Sequence, residues 1–228
     1  MVGKVCGTGS YVPAHIMTND DLSRIVDTND EWIRERTGIG RRHIIGEETT
    51  SYMAGQAAKK ALEQSGIDPE EIDMILLATS SSETVYPCAA CEVQKMIGAK
   101  HAAGYDLNAA CTGFVLAFNA AQAYISAGFC RTILVIGAES MSNMVDWTDR
   151  GTCILFGDGA GAVILRAAEG APVHMAAHSD GVKGVALTGL SRHRKDWEKE
   201  LEDGAVKESF IHMDGQAVFK FAVRKVPE

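Results

Sequence analysis

The chain has 228 residues, 46% hydrophobic and 23% charged, with a formal net charge of -8 at pH 7. That length buries a sizeable core, no window approaches the ~18 uninterrupted apolar residues of a membrane span, and an acidic balance argues against a nucleic-acid-binding surface. The opening Met1-Val2-Gly3-Lys4-Val5 lacks the apolar stretch of a secretion signal, and six cysteines scattered at 6, 88, 91, 111, 130 and 153 suit a reducing cytoplasm better than a disulfide scaffold.

Strand and helix alternate along the chain. Residues 4–9 read as a short strand ending in glycine. Residues 18–27 read as a helix capped by Thr18 or Asn19. Thr28-Asn29-Asp30-Glu31 has the T-x-x-E form of a capping box leading into Trp32, Ile33 and Arg36, with Gly38 as the stop. Residues 51–65 form a helix stopped by Gly66, and Asp68-Pro69-Glu70-Glu71 opens one more turn with Pro at its first position. A buried strand over 74–79, a helix over 88–97 closed by Gly98 and a strand over 102–107 follow. A helix over 112–127 ends at Gly128. Strands are expected over 131–137, 153–156 and 160–165, the last two as separate strands or one bent pair. This spacing predicts an α/β layered fold.

The helix over 112–127 carries Phe114, Val115, Leu116, Phe118, Tyr124 and Ile125 with almost no polar face, the pattern of a helix buried on all sides. Residues 191–208 are dense in both charge signs and read as a solvated loop or short exposed helix. A helical pattern resumes at Met213 with Val218, Phe219, Phe221 and Ala222. It stops soon after a proline, so the chain is expected to be cut within a domain.

The segment Asn108-Ala109-Ala110-Cys111-Thr112-Gly113-Phe114 sets a cysteine where a strand ends and the apolar helix begins. Unpaired N–H groups and the positive end of the helix dipole stabilise a thiolate there. Small neighbours let a carbonyl approach, and the cysteine's own N–H could donate to an oxyanion. By type alone a cysteine is more often an inert buried side chain; the position favours a nucleophile. No metal site is expected: Cys88-Ala89-Ala90-Cys91 is a C-x-x-C without a second pair at zinc spacing and without a thioredoxin-like setting, and it reads as coincidence. The glycine-rich run 157–162 lies between strand-like runs and does not form a phosphate loop; close backbone packing and a bulge are expected there.

DLNAACTGF resembles the nucleophile motif of β-ketoacyl-acyl carrier protein synthase III, a thiolase-like condensing enzyme. GTGSYVP, DTNDEWIRERTGI, DRGTCILFGDGAGA and MDGQAVFKFAV resemble the same family, in the same order and spacing. The resemblance implies a thiolase-like α/β/α/β/α fold with the second half cut short, an N-terminal half over 1–166 and the beginning of a C-terminal half over 167–228. It implies a cytoplasmic acyltransferase of fatty acid biosynthesis that needs no permanently bound cofactor. Cys111 would take an acyl group from a short acyl-CoA such as acetyl-CoA, and malonyl-acyl carrier protein would lose CO₂ and attack the acyl-cysteine.

By the same resemblance Trp32 and Arg150 would sandwich the adenine of CoA, Arg36 would reach phosphate and Thr28 would touch the base. Taken alone, these residues fit a solvated helix face with a half-buried tryptophan better, since charge runs are usually surface. Met213, Gly215 and Phe219 would line the pantetheine tunnel, or be the packed start of a helix; the family often has Asn at the position of Gln216. Tyr86, where Phe is familiar, would close the acyl pocket across a homodimer interface formed by its loop, a neighbouring strand and the helix around Cys88, with Leu155 and Phe156 also at the pocket. The family commonly has Ser where Cys88 stands. Its catalytic set is Cys–His–Asn, and none of histidines 15, 43, 101, 174, 178, 193 and 212 has the family's setting, so the chain is expected to be a fragment lacking the decarboxylation pair. A related condensing enzyme of secondary metabolism and a non-catalytic dimerising fragment are the alternatives.

Overall fold

The computed structural model of the chain describes residues 1–189 and 211–225. Its strands are β1 (Val2–Tyr11), β2 (Ile16–Thr18), β3 (Arg41–His43), β4 (Met74–Ala78), β5 (Ala103–Leu107), β6 (Thr132–Ser140), β7 (Asp158–Ala168), β8 (Leu187–Gly189) and β9 (Ile211–Met213). Its helices are α1 (Asn19–Leu22), α2 (Asp30–Thr37), α3 (Thr50–Ser65), α4 (Ala89–Ile97), α5 (Gly113–Ser126), α6 (Arg150–Cys153) and α7 (Gly215–Lys225). The chain divides into two compact units: Met1–Ile16, Arg42–Met141 and Gly157–Ala177 form the first, and Met17–Arg41, Ser142–Phe156 and His178–Glu228 the second.

The first unit is built on a five-stranded sheet in the order β1-β7-β6-β4-β5. Strand β4 runs parallel to β5 and β6, whereas β7 runs antiparallel to both β6 and β1. Successive residues of a strand point to opposite faces, and both faces are covered. Ile75, Leu77, Leu134 and Ile136 pack with α3 and α4 on one side; Leu76, Ala78, Ile133 and Val135 pack with α5 on the other. Two covered faces are why 74–79 and 131–137 read as continuous apolar runs rather than alternating ones.

Close approach fixes the two helical layers. A Cβ at Gly7 or Gly9 would fall inside the backbone of α3 at Ala61 or Ala57, so β1 needs glycine at both positions to lie against that helix. On the opposite face the Gly3 N–H donates to Gln122 Oε1 at 2.8 Å and Gln122 Nε2 donates to the Gly3 carbonyl at 2.7 Å. One buried amide of α5 thus takes both backbone groups of an edge strand.

The second unit has a small core of Leu22, Ile33, Cys153 and Ile154, with Met17, Val26, Trp32, Ile39, Trp147 and Leu155 around it. Strands β8 and β9 pair antiparallel, and the Ile211 N–H donates to the Met144 carbonyl at 2.9 Å. Asp214 caps α7 through the Ala217 N–H at 3.0 Å.

Five sequence expectations change. Residues 18–27 give only the four-residue α1: Thr18 and Asp21 form the capping box, and the turn ends once Leu22 is buried. The cap of α2 is Asn29, whose side chain accepts from the Trp32 N–H at 2.8 Å, so Thr28 is freed from the expected box. Cys153 ends the short helix α6, capped by Asp149, instead of opening a strand. The bulge lies at Cys6 in β1, between Val5 and Gly7, and not in the glycine-rich run, which enters β7 in unbroken register with β6. Helix α5 buries one stripe, Gly113, Ala117, Ala121, Gln122 and Ile125, against the sheet, while Val115 is 53% exposed, so it is not enclosed on all sides by the described residues. The charged run 191–208 lies outside the described residues.

Candidate active site

Strand β5 ends at Leu107, and Ala110–Thr112 form a single tight turn that leads straight into α5 at Gly113. Cys111 sits in that turn and is exposed. Ala110, immediately before it, has φ +46°, a left-handed conformation costly for a residue with a Cβ. Thr112 Oγ1 and the Thr112 N–H both bond to the Ala109 carbonyl, at 2.9 and 3.2 Å, and hold the turn. Among the described residues no side chain caps α5. Gly113 packs on the end of β4, where a Cβ would stand 3.1 Å from the Ala78 Cβ. The result is a thiol raised on a sharp strand-to-helix turn beside the positive end of a helix.

Sequence reasoning missed Glu139. This residue at the end of β6 gathers the loop that follows β4: the Ser80 N–H and Oγ donate to Glu139 Oε1 at 2.9 and 2.8 Å, and Thr79 and Ser81 hydroxyls donate to Oε2. Ser81 Oγ in turn accepts from the Ser140 N–H at 2.8 Å, and Thr50 Oγ1 donates to the Ser81 carbonyl at 2.7 Å. The Thr79 N–H also donates to the Leu107 carbonyl at 3.1 Å, which joins this network to the strand leading to Cys111. The signal was the run Thr79-Ser80-Ser81-Ser82, four hydroxyls after an apolar strand. A second missed feature is an apolar recess of about 460 Å³ lined by Thr8, Gly9, Phe114, Gly137, Gly161, Ala162 and Val163, with Phe114 three residues beyond Cys111.

Tyr86 stands on the loop before α4, joined to Pro87 by a cis peptide bond and 88% exposed beside Val85 at 75%. Behind it Asp106 of β5 caps α4, its two carboxylate oxygens accepting from the Ala89 and Ala90 N–H groups at 2.8 Å each. Cys88 and Cys91 meet there, sulfur to sulfur at 3.4 Å. Hydrogen bonding with Cys88, and burial after it, pushes the Cys91 thiol up.

The second unit brings Trp32, Arg36 and Arg150 together. The guanidinium carbons of Arg36 and Arg150 lie 4.3 and 4.7 Å from the Trp32 ring centre. Arg150 Nη1 donates to the Asp27 carbonyl at 2.9 Å, and Arg36 Nη1 donates to the Trp32 carbonyl at 3.3 Å. Thr28 Oγ1, next along from Asp27, is buried and has no hydrogen-bond partner among the described residues. Two cations over a planar ring suit a planar ligand with an anionic tail. Leu155 and Phe156 are half-buried, Met213 is half-buried at the end of β9, and Gly215 and Phe219 are exposed on α7. Among the described residues no group of three or more His, Cys, Asp or Glu side chains is placed to hold a metal ion, and no helix is long and apolar enough to cross a membrane.

The chain is similar to known condensing enzymes. Residues 105–181 match the family model for 3-oxoacyl-acyl carrier protein synthase III. The β-ketoacyl-acyl carrier protein synthase III of Clostridium acetobutylicum is 50% identical over 226 residues, covering 97% of this chain and 68% of that relative. The crystal structure of 3-oxoacyl-acyl carrier protein synthase III from Aquifex aeolicus VF5 superposes with TM-score 0.79 at 43% identity, over 97% of this chain and 68% of that one. The priming β-ketosynthase of the R1128 polyketide biosynthetic pathway superposes with TM-score 0.87 at 34% identity, over 99% of this chain and 67% of that one.

Proposed function

The chain belongs to the β-ketoacyl-acyl carrier protein synthase III family of thiolase-like condensing enzymes, and from that premise we propose that Cys111 is the residue that carries its acyl group. The family's reaction is acyl transfer by decarboxylating condensation: acyl-CoA is a substrate, malonyl-acyl carrier protein the acceptor, and the process fatty acid biosynthesis. The observation that carries the assignment is the exposed Cys111 on the Ala110 turn at the uncapped start of α5.

In the first half-reaction the Cys111 thiolate attacks the thioester carbonyl. The Cys111 N–H donates to the tetrahedral oxyanion. Its collapse breaks the C–S bond to CoA, whose thiolate leaves and takes a proton. In the second, malonyl-acyl carrier protein loses CO₂, the resulting carbanion attacks the acyl-cysteine, and the Cys111 thiolate is released as the β-ketoacyl product forms. The dipole of α5 favours the anion at both stages.

The nucleotide end of the CoA substrate falls to Trp32, Arg150 and Arg36, with Thr28 Oγ1 donating to or accepting from the base edge. Met213, Gly215 and Phe219 carry the pantetheine arm. Tyr86, Leu155 and Phe156 limit the acyl group, Tyr86 from the loop that a second copy of the chain would cover in a cytoplasmic homodimer. The exposure of Val85 and Tyr86 supports that last role, since large apolar side chains side by side on a surface loop favour a partner.

Product analysis with acetyl-CoA tests the reading. From a family enzyme carrying the His and Asn we expect β-ketoacyl-acyl carrier protein, CO₂ and free CoA in equal amounts; from this sequence, in which no histidine has the family's setting, we expect acyl transfer to Cys111 with release of CoA and no sustained condensation. Likeness to the polyketide priming enzyme favours a second reading, in which the same cysteine serves a secondary-metabolic acceptor. Preference for malonyl-CoA over the carrier-bound substrate would select it. Acetyl-CoA turnover that survives loss of the Cys111 thiol would overturn both.

A further inference from the structure

We propose that Glu139 is a positioning residue for the acylation step: by clamping the loop after β4 it fixes the strained turn that carries Cys111, and it acts through its reach as an acceptor and not through its charge. The inference rests on the Cys111 reading above and deepens it. Strands β4, β5 and β6 run parallel, with Ala78 in register with both Leu107 and Gly137, so all three end on one edge of the sheet. The Cys111 turn is fastened to the end of β4 at two points. The Leu107 carbonyl accepts from the Thr79 N–H at 3.1 Å, and Gly113 lies so close that an added Cβ would stand 3.1 Å from the Ala78 Cβ. Between those points the chain passes through Ala110 at φ +46°, a conformation that persists only where its surroundings hold it. The bonds from Thr112 to the Ala109 carbonyl close the turn but do not tie it to the sheet.

The end of β4 is itself anchored by Glu139. Its half-buried carboxylate takes the Ser80 N–H and hydroxyl on Oε1 and the Thr79 and Ser81 hydroxyls on Oε2. The Ser81 hydroxyl accepts in turn from the Ser140 N–H at 2.8 Å, so the loop is tied to β6 at two successive residues. A side chain one methylene shorter withdraws the oxygens by about 1.5 Å, the length of one C–C bond. Hydrogen bonds of 2.8 and 2.9 Å do not survive that stretch. Thr79 and Ala78 are then free to move, and the Cys111 turn moves with them; a misplacement of about 1 Å costs on the order of a hundredfold in rate. Glutamine has the full reach. Its carbonyl accepts from the Ser80 N–H and hydroxyl, and its amide N–H groups donate to the Thr79 and Ser81 hydroxyls, which accept as well as donate. The geometry therefore outlasts the loss of charge.

Single-turnover acylation of the whole chain by acetyl-CoA tests this, with the label mapped to Cys111 by peptide mass spectrometry. Fitting the rate against acetyl-CoA concentration separates the maximal rate from the half-saturating concentration, and far-ultraviolet circular dichroism confirms the fold of each variant. Glu139→Asp should lower the maximal rate about tenfold or more. It should leave the half-saturating concentration within about twofold, because Trp32, Arg36 and Arg150, proposed to hold the nucleotide, belong to the other unit. Glu139→Gln should stay within about threefold of the unmodified sequence in both quantities. A slow Gln variant beside a full-rate Asp variant would assign the role to charge and overturn the proposal. Equal rates in the two variants, full or reduced alike, or a change confined to the half-saturating concentration, would overturn it too. No acetyl group on Cys111 of the unmodified sequence would overturn the Cys111 reading and this inference with it, so the two failures are told apart.

Discussion

The guanidinium carbon of Arg150 lies 4.7 Å from the centre of the Trp32 ring. A base held between them needs two stacking gaps of about 3.5 Å each, roughly 7 Å in all. In the proposed CoA role Arg150 would have to swing outward to admit the adenine, breaking one exposed hydrogen bond to the Asp27 carbonyl at a cost of about 1 kcal/mol. Arg150→Ala should raise the KM for acetyl-CoA by about tenfold, the loss of a cation–π contact of roughly 1–2 kcal/mol. The same variant should leave the KM for an acyl-pantetheine thioester, which lacks the adenine, unchanged. Steady-state kinetics on both substrates checks the pair of outcomes.

Glu139 draws Thr79, Ser80 and Ser81 to the end of β6. Glu139→Ala removes the shared acceptor and leaves several donors unpaired, with an expected loss of about 3 kcal/mol in denaturant unfolding. Because that loop joins the strand leading to Cys111, the acylation rate should fall as well. A full-rate, fully stable variant would show that the network is only surface decoration.

Two glycines should answer differently to alanine. At Gly9 the new Cβ would lie 2.6 Å from the Ala61 backbone nitrogen, and α3 must move. Gly9→Ala is expected to cost about 3 kcal/mol, at the upper end of overpacking. At Gly38 nothing lies within 4 Å and only φ +73° resists the side chain. Gly38→Ala should cost about 1 kcal/mol. Chemical unfolding of the two variants gives the comparison.

Asp30 accepts from Arg34 Nε at 2.9 and 2.7 Å and from Asn19 Nδ2 at 2.8 Å, and hydrogen bonding to Arg34, then to Asn19, holds its carboxyl below the ordinary range. A carboxylate that titrates lower in the folded chain stabilises the fold above the unfolded value, near 3.9, and that contribution disappears as pH falls through the lower folded value. Asp30→Asn should lower stability above about pH 4, by a small amount because the pair is exposed, and flatten the acid limb, so that the two proteins converge as pH falls. Carboxyl titration by NMR, with unfolding measured on the acid side, reads both effects.

The legible parts of the sequence were those set by local chemistry. Gly38, Gly66 and Gly98 each end a helix as expected, all with positive φ, because only a residue without Cβ adopts that turn cheaply. Apolar runs located β4 and β6, and the cysteine at the mouth of α5 stood out by its neighbours alone. What local pattern did not reveal depends on distant partners. Asn29 outcompeted Thr28 as the cap of α2, and Thr28 Oγ1 is left without a hydrogen-bond partner among the described residues. Cys153 joined a helix because Leu22 and Ile33 provide its packing. Glu139 acquires its meaning from Ser80, 59 residues earlier in the chain.

The most direct measurement is intact-protein mass spectrometry after incubation with acetyl-CoA. The account predicts a single acetyl group, mapped to Cys111, labile to hydroxylamine and missing from Cys111→Ala. Acetylation that persists in that variant, or a wild-type Cys111 that stays unmodified while CoA is released, would contradict it.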